Sequence, residues 1–380
     1  MNNIKAQKQS SSLTAPLAYT LILRVFYSAM GAACTPYLKL NPVVVKSNDF
    51  TDNLMSRDAG WLYRLFGVWE RFDTLWYVNI AEHGYDRAEA IVFYPLYPLL
   101  IRILSIPLRQ PLAAALLIST VASFFMFWGF QKLLALDLPE EAVQRAMLLY
   151  AVWPASFTLF AGYPDSMMIA LILWSIYAAR HDRWWTAGIL GFFAGLSKAA
   201  GNVVIIPLIL IAWRERNWRA WPALISLVAP IAYMTFINLA DFPPLSQIYP
   251  RYWRTEVAFP WNTLGTSLQQ SWTGRGVSRE GRILLIINLV IILLIFIPTV
   301  LKKLRFEYLI FSFATLALFF VKKTNPILQS TNRYVLAVFP AFAGWGFLLK
   351  NRLVFPLFLT LLLLINITLL MAFFEWELVI

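Results

Sequence analysis

The stretch Glu70–Tyr85, "ERFDTLWYVNIAEHGY", combines large apolar side chains with residue types that can accept or donate protons, namely Glu70, Asp73, Glu82 and His83. A carboxylate at the centre of a membrane span costs roughly 2.5–3.5 kcal/mol, so this stretch is not expected to cross a bilayer. An ordinary solvated loop would give the aromatic side chains nothing to pack against. An amphipathic helix lying along the membrane interface accommodates both features.

Asp73 is the strongest candidate for chemistry in this stretch. Apolar residues recur at three- and four-residue spacing over 62–80, which predicts one continuous interfacial helix with Asp58 as a plausible N-cap. Asp73 lies near the edge of the apolar stripe, where partial desolvation would raise its pKa and make it a better general base. The alternative is a structural role, as an N-cap or an ion-pair partner of Arg71 or Arg64. Position alone leaves both interpretations open.

Other polar residues stand where apolar runs begin or end. Asp165, in "AGYPDSMM", precedes such a run, and helix N-capping is the individually stronger explanation for it. The remaining candidates for contacts with a substrate are Lys198, Arg333, Tyr334, Trp253 and Arg254. Cations at a membrane edge suit the phosphate of an anionic lipid, but long basic side chains also extend there simply to reach water.

Sequence motifs for metal and nucleotide binding are missing. His83 and His181 fall on opposite sides of the predicted membrane, and the single cysteine, Cys34, excludes a disulfide or a cysteine-based zinc site. The chain contains no glycine-rich phosphate loop. We therefore expect neither a metal site nor a cofactor.

The elements that must position these residues are apolar. Of the 380 residues, 59% are hydrophobic and 14% are charged, whereas about 25% charged residues is usual in soluble domains. Mean hydropathy is +0.63. Strands of a membrane barrel would alternate apolar and polar residues, and no segment does so. The composition predicts an all-α polytopic membrane protein.

Apolar runs predict about eleven transmembrane helices, some of them shorter than the about 20 residues of a full crossing. They are expected near 17–34, 112–131, 143–161, 166–180, 186–200, 201–213, 219–239, 283–301, 307–321, 334–349 and 353–373. The pair that meets at Gly201 is either two spans or one broken element. The run "FYPLYPLLIRIL" predicts a short interfacial helix that begins at Pro95 and ends before Pro107.

The net charge of +12 is explained by topology. Each basic cluster flanks an apolar run, and none forms a groove of basic and aromatic residues. We therefore do not expect nucleic acid as a partner. Anionic membrane lipids are the expected partners of these clusters. The short loops with most Lys and Arg are expected on the cytoplasmic side. Residues 1–12 would then be a disordered cytoplasmic tail, and 13–380 one membrane domain. Two long loops, about 34–110 and 239–282, would face away from the cytoplasm.

Several stretches resemble the PIG-V family, membrane mannosyltransferases that add the second mannose in GPI-anchor synthesis, and its bacterial relatives. They are "RFDTLWYVNIAEHGYD", "FYPLYPLLIR", "YAVWPASFTLFAGYPDSMMIAL", "FFAGLSKAAG" and "STNRYVLAVFPAF", in the order of the family. The resemblance implies a GT-C fold, in which the first external loop carries a catalytic acid and the donor is a polyprenyl-phosphate sugar.

The resemblance assigns roles residue by residue. Asp73 corresponds to the acid of the family's tryptophan–aspartate signature, and Arg333 with Tyr334 corresponds to its arginine–tyrosine pair. Three positions depart from the family pattern: Phe72 replaces the usual tryptophan, Asp165 is a shorter acid than the common glutamate, and Lys198 stands where arginine is common.

The function implied is that of an inverting glycosyltransferase that moves a hexose, expected to be mannose, to a lipid- or glycan-linked acceptor on the non-cytoplasmic face. Asp73 would be the base. Arg333, Lys198 and Tyr334 would bind the donor phosphate. Further contacts with substrate are expected from Glu70, Glu82, His83, Asp165, Trp253 and Arg254.

A flippase of polyprenyl-linked sugars and a non-catalytic lipid-binding envelope protein remain alternatives. The first would be expected to carry intramembrane acids or repeats. Because no Asn-x-Ser/Thr lies in a predicted external loop, the sequence favours a bacterial plasma membrane over the endoplasmic reticulum.

Overall fold

The computed structural model of the chain describes residues 13–41, 50, 54–301 and 304–377. The predicted tail, residues 1–12, lies outside this range. Within it, helices account for most of the chain, as expected from the composition. In chain order the α-helices are α1 (Thr14–Cys34), α2 (Trp61–Leu65), α3 (Asp73–His83), α4 (Leu96–Leu108), α5 (Pro111–Leu134), α6 (Glu140–Ala151), α7 (Asp165–Ala179), α8 (Trp184–Ser197), α9 (Ile205–Arg214), α10 (Val228–Leu239), α11 (Leu245–Trp253), α12 (Pro260–Thr273), α13 (Arg279–Leu301), α14 (Phe306–Phe320), α15 (Thr331–Tyr334), α16 (Phe339–Leu348) and α17 (Val354–Phe374).

Short 3-10 helices connect many of these elements. They cover Thr35–Tyr37, Arg57–Ala59, Gly67–Trp69, Ala88–Val92, Ser156–Leu159, Ala199–Val204, Trp218–Leu227 and Val335–Ala337. Two short strands, β1 (Thr255–Val257) and β2 (Lys322–Thr324), pair antiparallel, with Thr255 opposite Thr324. They tie the second long predicted loop to the segment that follows α14.

Within the described ranges, five helical stretches are long and apolar enough to cross a membrane: 14–37, 111–134, 218–239, 281–301 and 354–374. Shorter apolar helices of 10–17 residues coincide with the other predicted spans except 143–161. The protein is therefore an all-α, multi-pass membrane protein, as predicted, although the predicted number of eleven spans is not confirmed.

The predicted span boundaries fail where proline interrupts an apolar run. The expected span 143–161 ends as a regular helix at Ala151, because Pro154 cannot donate a backbone hydrogen bond and disfavours helical geometry in the residue before it.

Around Gly201, the chain forms α8 and α9 joined by a 3-10 segment. A Cβ on Gly201 would lie 1.9 Å from the Ala194 carbonyl oxygen, so only glycine permits this tight connection.

The continuous helix predicted over 62–80 is wrong. Instead α2 ends at Leu65, a 3-10 turn follows, and α3 begins at Asp73. Asp58 is not the N-cap either, because the Ser56 side chain accepts the Asp58 N–H and caps the first 3-10 turn. The interfacial segment near Pro95 is confirmed as a helix, but α4 continues through Pro107 to Leu108.

Charged residues from several predicted cytoplasmic loops meet at one end of the bundle. Arg180 donates to both carboxylate oxygens of Asp137, at 2.9 and 3.1 Å, and to the Tyr308 hydroxyl at 2.9 Å. Glu307 is 1% exposed and pairs with Arg305 and Arg214. These contacts join the loop before α6 to the ends of α7 and α9 and to the start of α14.

Candidate active site

Asp73, Arg333, Lys198, Tyr334 and Trp253, all singled out from the sequence, line one cavity of about 180 Å³, which we call the acid cavity. Tyr77, Phe93 and Lys322 also contribute to its wall. These residues come from distant parts of the chain: the start of α3, the end of α8, the end of α11, β2 and α15. The fold thus brings together an acid, three cations and several aromatic rings.

A chain of ion pairs runs from the cavity wall into the interior. The Arg333 Nη2 atom lies 2.6 Å from Asp73 Oδ2, and its Nε atom lies 3.3 Å from Asp165 Oδ2. Lys198 Nζ lies 2.6 Å from Asp165 Oδ1. The two acids differ in access, since the Asp73 side chain is 24% exposed and that of Asp165 is 3% exposed. Only Asp73 is therefore available to a substrate.

The contacts of Asp73 and Asp165 distinguish between helix capping and ion pairing as their structural roles. The partner of Asp73 is Arg333, neither Arg71 nor Arg64. Asp73 is the first residue of α3, and no side chain caps that helix. Asp165 likewise begins α7 without capping it, so the N-cap explanation for Asp165 is wrong. Its carboxylate instead holds Arg333 and Lys198 in place.

Arg71 stabilises the break that precedes α3. Its buried guanidinium, 1% exposed, donates to the carbonyl oxygens of Phe374, Gly67 and Glu70, at 3.0, 3.1 and 3.0 Å. These hydrogen bonds hold the non-helical segment between the 3-10 turn and Asp73 in place. Phe72, at the break, has a φ of 47°, an unusual conformation for a large residue.

The segments that carry Asp73 and Asp165 pack closely where the Thr74 side chain meets the backbone of Gly162. Thr74 is fully buried against the turn that precedes α7, and a Cβ on Gly162 would lie 2.6 Å from Thr74 Cγ2. Glycine at position 162 therefore allows the N-terminus of α3 to pack on this turn. The arrangement places both acids within reach of Arg333.

Aromatic rings enclose the cations. The Arg333 guanidinium carbon lies 4.5 Å from the centre of the Tyr163 ring and 5.5 Å from that of Tyr334. The Lys198 nitrogen lies 4.8 Å from the Tyr334 ring. Such contacts stabilise a cation by about 0.5–2 kcal/mol, most where water is excluded. The Tyr334 ring therefore contacts both cations, and binding of the donor phosphate by Tyr334 stays a prediction.

Lys322 is a cavity residue that the sequence analysis did not select. Its Nζ atom donates to the Tyr249 hydroxyl at 3.1 Å and lies 4.6 Å from the Tyr249 ring. Among the residues described, no carboxylate pairs with it. Lys322 directly follows an apolar run, in the same way as other snorkelling residues, and nothing in the local sequence distinguishes it.

Five of the six predicted substrate contacts, the buried Asp165 among them, lie outside the lining of the acid cavity. Glu82 and His83 are exposed at the end of α3, where the His83 ring contacts Asn79. At about 1.5 Å per residue, nine residues of helix place Glu82 about 14 Å from Asp73. Glu70 accepts the Met55 N–H at 2.8 Å, and burial raises the pKa of its carboxyl. Arg254 lines a separate cavity.

Solved structures with a similar fold are of ArnT from Cupriavidus metallidurans. The apo form has a TM-score of 0.50 and 12% identity, and it covers 85% of this chain and 77% of ArnT. The form bound to undecaprenyl phosphate has a TM-score of 0.51 and 10% identity, with 96% and 76% covered. At such identities the similarity shows the fold alone. The fold is GT-C, as the sequence resemblance implied.

Among curated proteins, GPI alpha-1,6-mannosyltransferase 2 from Homo sapiens is 29% identical over 153 residues, and the mouse protein is 29% identical over 152 residues. The match covers 37% of this chain, but the chain spans only about a third of the relatives' length, 31% of the human and 30% of the mouse protein.

The family described as Mannosyltransferase (PIG-V) matches residues 18–227. This range contains Asp73, Asp165 and Lys198, whereas Arg333 and Lys322 lie beyond it. More than half of the chain is matched, which shows that the chain belongs to the PIG-V mannosyltransferase family.

Proposed function

We propose that this protein is an inverting glycosyltransferase that moves a hexose, mannose by family, from a polyprenyl-phosphate donor to a lipid- or glycan-linked acceptor on the non-cytoplasmic face. The observation that carries the proposal is the partly exposed Asp73 carboxylate, held 2.6 Å from Arg333 in a cavity that Lys198 and Lys322 also line. A base for the acceptor and cations for a leaving phosphate are thus side by side.

In the reaction, an acceptor hydroxyl oxygen forms a bond to the anomeric carbon while the bond from that carbon to the phosphate oxygen breaks. The hydroxyl proton passes to Asp73, and the electron pair of the broken bond leaves with the polyprenyl phosphate. Arg333 occupies Oδ2, so the other carboxylate oxygen of Asp73 takes the proton. Attack and departure on opposite faces of the carbon invert its configuration.

The cations have different freedom to contact a phosphate. Arg333 is engaged by two carboxylates and Lys198 by one, whereas the one hydrogen bond of Lys322 to the described part of the chain goes to a tyrosine hydroxyl. We therefore propose for Arg333 a role other than the direct phosphate binding that the sequence analysis expects. Lys322 and Lys198 would bind the phosphate, and Arg333 would position Asp73 while adding positive charge that stabilises the leaving anion.

Further support for a lipid-linked donor comes from an apolar cavity of about 420 Å³, lined by Ile80, Pro98, Leu99 and Phe236 among others. The hydroxyls of Tyr85 and Tyr233, which also line it, donate to the carbonyl of Phe93 at 2.6 and 3.2 Å, and Phe93 lines the acid cavity. A prenyl chain beside the acid cavity would find apolar surface here. ArnT, which shares the fold, has been solved with undecaprenyl phosphate bound.

The test is turnover by the purified protein in lipid vesicles, with a panel of polyprenyl-phosphate sugars and a total extract of the source membranes as acceptor. A glycosyltransferase attaches labelled sugar to a component of the extract. Translocation of the donor across the vesicle without a product would instead assign a flippase, and stoichiometric donor retention without either would assign a lipid-binding protein. Either of these results overturns the proposal.

A further inference from the structure

A second and larger cavity lies beside the acid cavity. It has a volume of about 640 Å³ and is bounded by the end of α11, helix α12, the start of α13 and the segment after β2. We call it the loop cavity. Its polar lining includes Arg254, Glu256, Thr266, Gln270, Lys323 and Asn325.

The two-stranded ladder separates the two cavities. Successive residues of a strand face opposite sides, and here Thr255 lines the acid cavity while Glu256 lines the loop cavity. In β2, Lys322 lines the acid cavity, Lys323 lines the loop cavity, and Thr324 contacts both. The cavities therefore meet at the Thr324 end of the ladder.

Gln270, which lines the loop cavity, carries an unused hydrogen-bond acceptor. The side-chain oxygen of Gln270 is buried and has no hydrogen-bond partner among the residues described. A buried polar atom without a partner costs about 1–3 kcal/mol, and a ligand that donates a hydrogen bond to it recovers this. A polyhydroxylated ligand supplies such donors at many positions.

The charges around this oxygen favour a neutral ligand. Glu256 and Lys323 are direct partners across the ladder, so their charges oppose each other within the wall. Only Arg254 adds a further charge to the lining. Hydroxyl and amide groups supply the rest of the polar surface, a combination that suits the hydroxyl groups of a saccharide better than a polyanion or an acyl chain.

Size favours a second site. Sites for small molecules usually measure about 300–1,000 Å³, and the acid cavity, at about 180 Å³, is smaller than this range. The donor sugar, its phosphate and the body of a glycan acceptor together would need more space. The loop cavity, at about 640 Å³, has the required volume.

We propose that the loop cavity binds the saccharide part of the acceptor, which passes Thr324 so that its terminal hydroxyl reaches Asp73. Gln270, Arg254 and Lys323 would be its main hydrogen-bonding residues. This inference rests on the proposed function and assigns the acceptor saccharide a cavity of its own, which the ladder separates from the acid cavity.

The test measures transfer from saturating polyprenyl-phosphate mannose while the membrane extract that serves as acceptor is titrated. Gln270→Leu removes the buried acceptor and should raise the half-saturating amount of extract about three- to tenfold, as expected for one hydrogen bond. Gln269→Leu is the matched control, since Gln269 is exposed on the same helix and outside the cavity lining. Lys323→Gln, on the opposite wall, provides a second variant.

The half-saturating donor concentration should stay unchanged in both cavity variants. The inference is wrong if Gln270→Leu and Lys323→Gln match Gln269→Leu in acceptor dependence, or if only their donor dependence changes. Absence of transfer by the wild-type protein contradicts the proposed function itself, so the two failures are distinguishable.

Discussion

Substitution of Asp73 by asparagine should separate its chemical role from its structural one. A general base contributes typically 10²–10⁴-fold, so we expect Asp73→Asn to lower kcat by about this factor. Asparagine keeps an oxygen that can accept a hydrogen bond from Arg333, whose contact with Asp73 is 2.6 Å. The half-saturating donor concentration should therefore change little. The measurement is initial-rate kinetics with the purified protein in lipid vesicles.

Asp165 provides a control with the same change of charge. Asp165→Asn also removes one carboxylate from the chain Asp73–Arg333–Asp165–Lys198, but Asp165 is 2% exposed and does not line the acid cavity. Removal of one partner from a buried ion pair typically costs about 3–5 kcal/mol of stability. We expect Asp165→Asn to lower the thermal unfolding midpoint more than Asp73→Asn does, and to lower kcat less.

Glu70 provides a second control, from the same sequence motif. Glutamine retains the oxygen that accepts the Met55 N–H, and it removes a carboxyl whose pKa burial raises, so neither stability nor kcat should fall appreciably in Glu70→Gln. The assignment of the base is refuted if Asp73→Asn keeps near-normal turnover, or if Glu70→Gln or Asp165→Asn loses more kcat than Asp73→Asn.

Three further predictions follow from the site and the topology. Lys322→Gln should raise the half-saturating donor concentration more than Arg333→Lys does, whereas Arg333→Lys should mainly lower kcat. The reverse pattern in steady-state kinetics would indicate that Arg333, and not Lys322, binds the donor phosphate. Gly162→Ala places a Cβ 2.6 Å from Thr74 Cγ2 and should lower both kcat and the unfolding midpoint, and wild-type values for both would contradict the close approach. In a Cys34→Ala background, cysteines at the exposed positions Gln269 and Arg183 should react with impermeant maleimide from opposite sides of the membrane, and labelling from one side would refute the predicted topology.

The helical fold was predictable from the apolar runs. Site residues were predictable where a polar or aromatic residue interrupts or ends such a run. Asp73, Lys198, Trp253, Arg333 and Tyr334 were all selected in this way, and the structure gathers them around one cavity. What failed depends on contacts distant in sequence. At the break before α3, Arg71 donates to the carbonyl of Phe374, 303 residues away, and local periodicity carries no information on that contact.

Two other features of the site, the position of Lys322 and the separation of Trp253 from Arg254, also depend on the three-dimensional arrangement of the chain. Lys322 has the sequence context of any lysine that follows a span, and only the pairing of β1 with β2 places it in the acid cavity. Trp253 and Arg254 are neighbours in sequence, yet they line different cavities, because Arg254 adopts a left-handed conformation (φ 46°) as the chain enters the ladder. The sequence did not distinguish the partly buried Trp253 from the exposed Arg254.

In the proposed reaction, Asp73 assists a single displacement at an anomeric carbon. Its most direct test is the anomeric configuration of the product that the purified protein forms from a polyprenyl-phosphate mannose labelled with ¹³C at the anomeric carbon, read from the one-bond C–H coupling. We expect a glycosidic product with configuration opposite to that of the donor. A product with retained configuration, or release of free mannose with no glycosidic product, would contradict it.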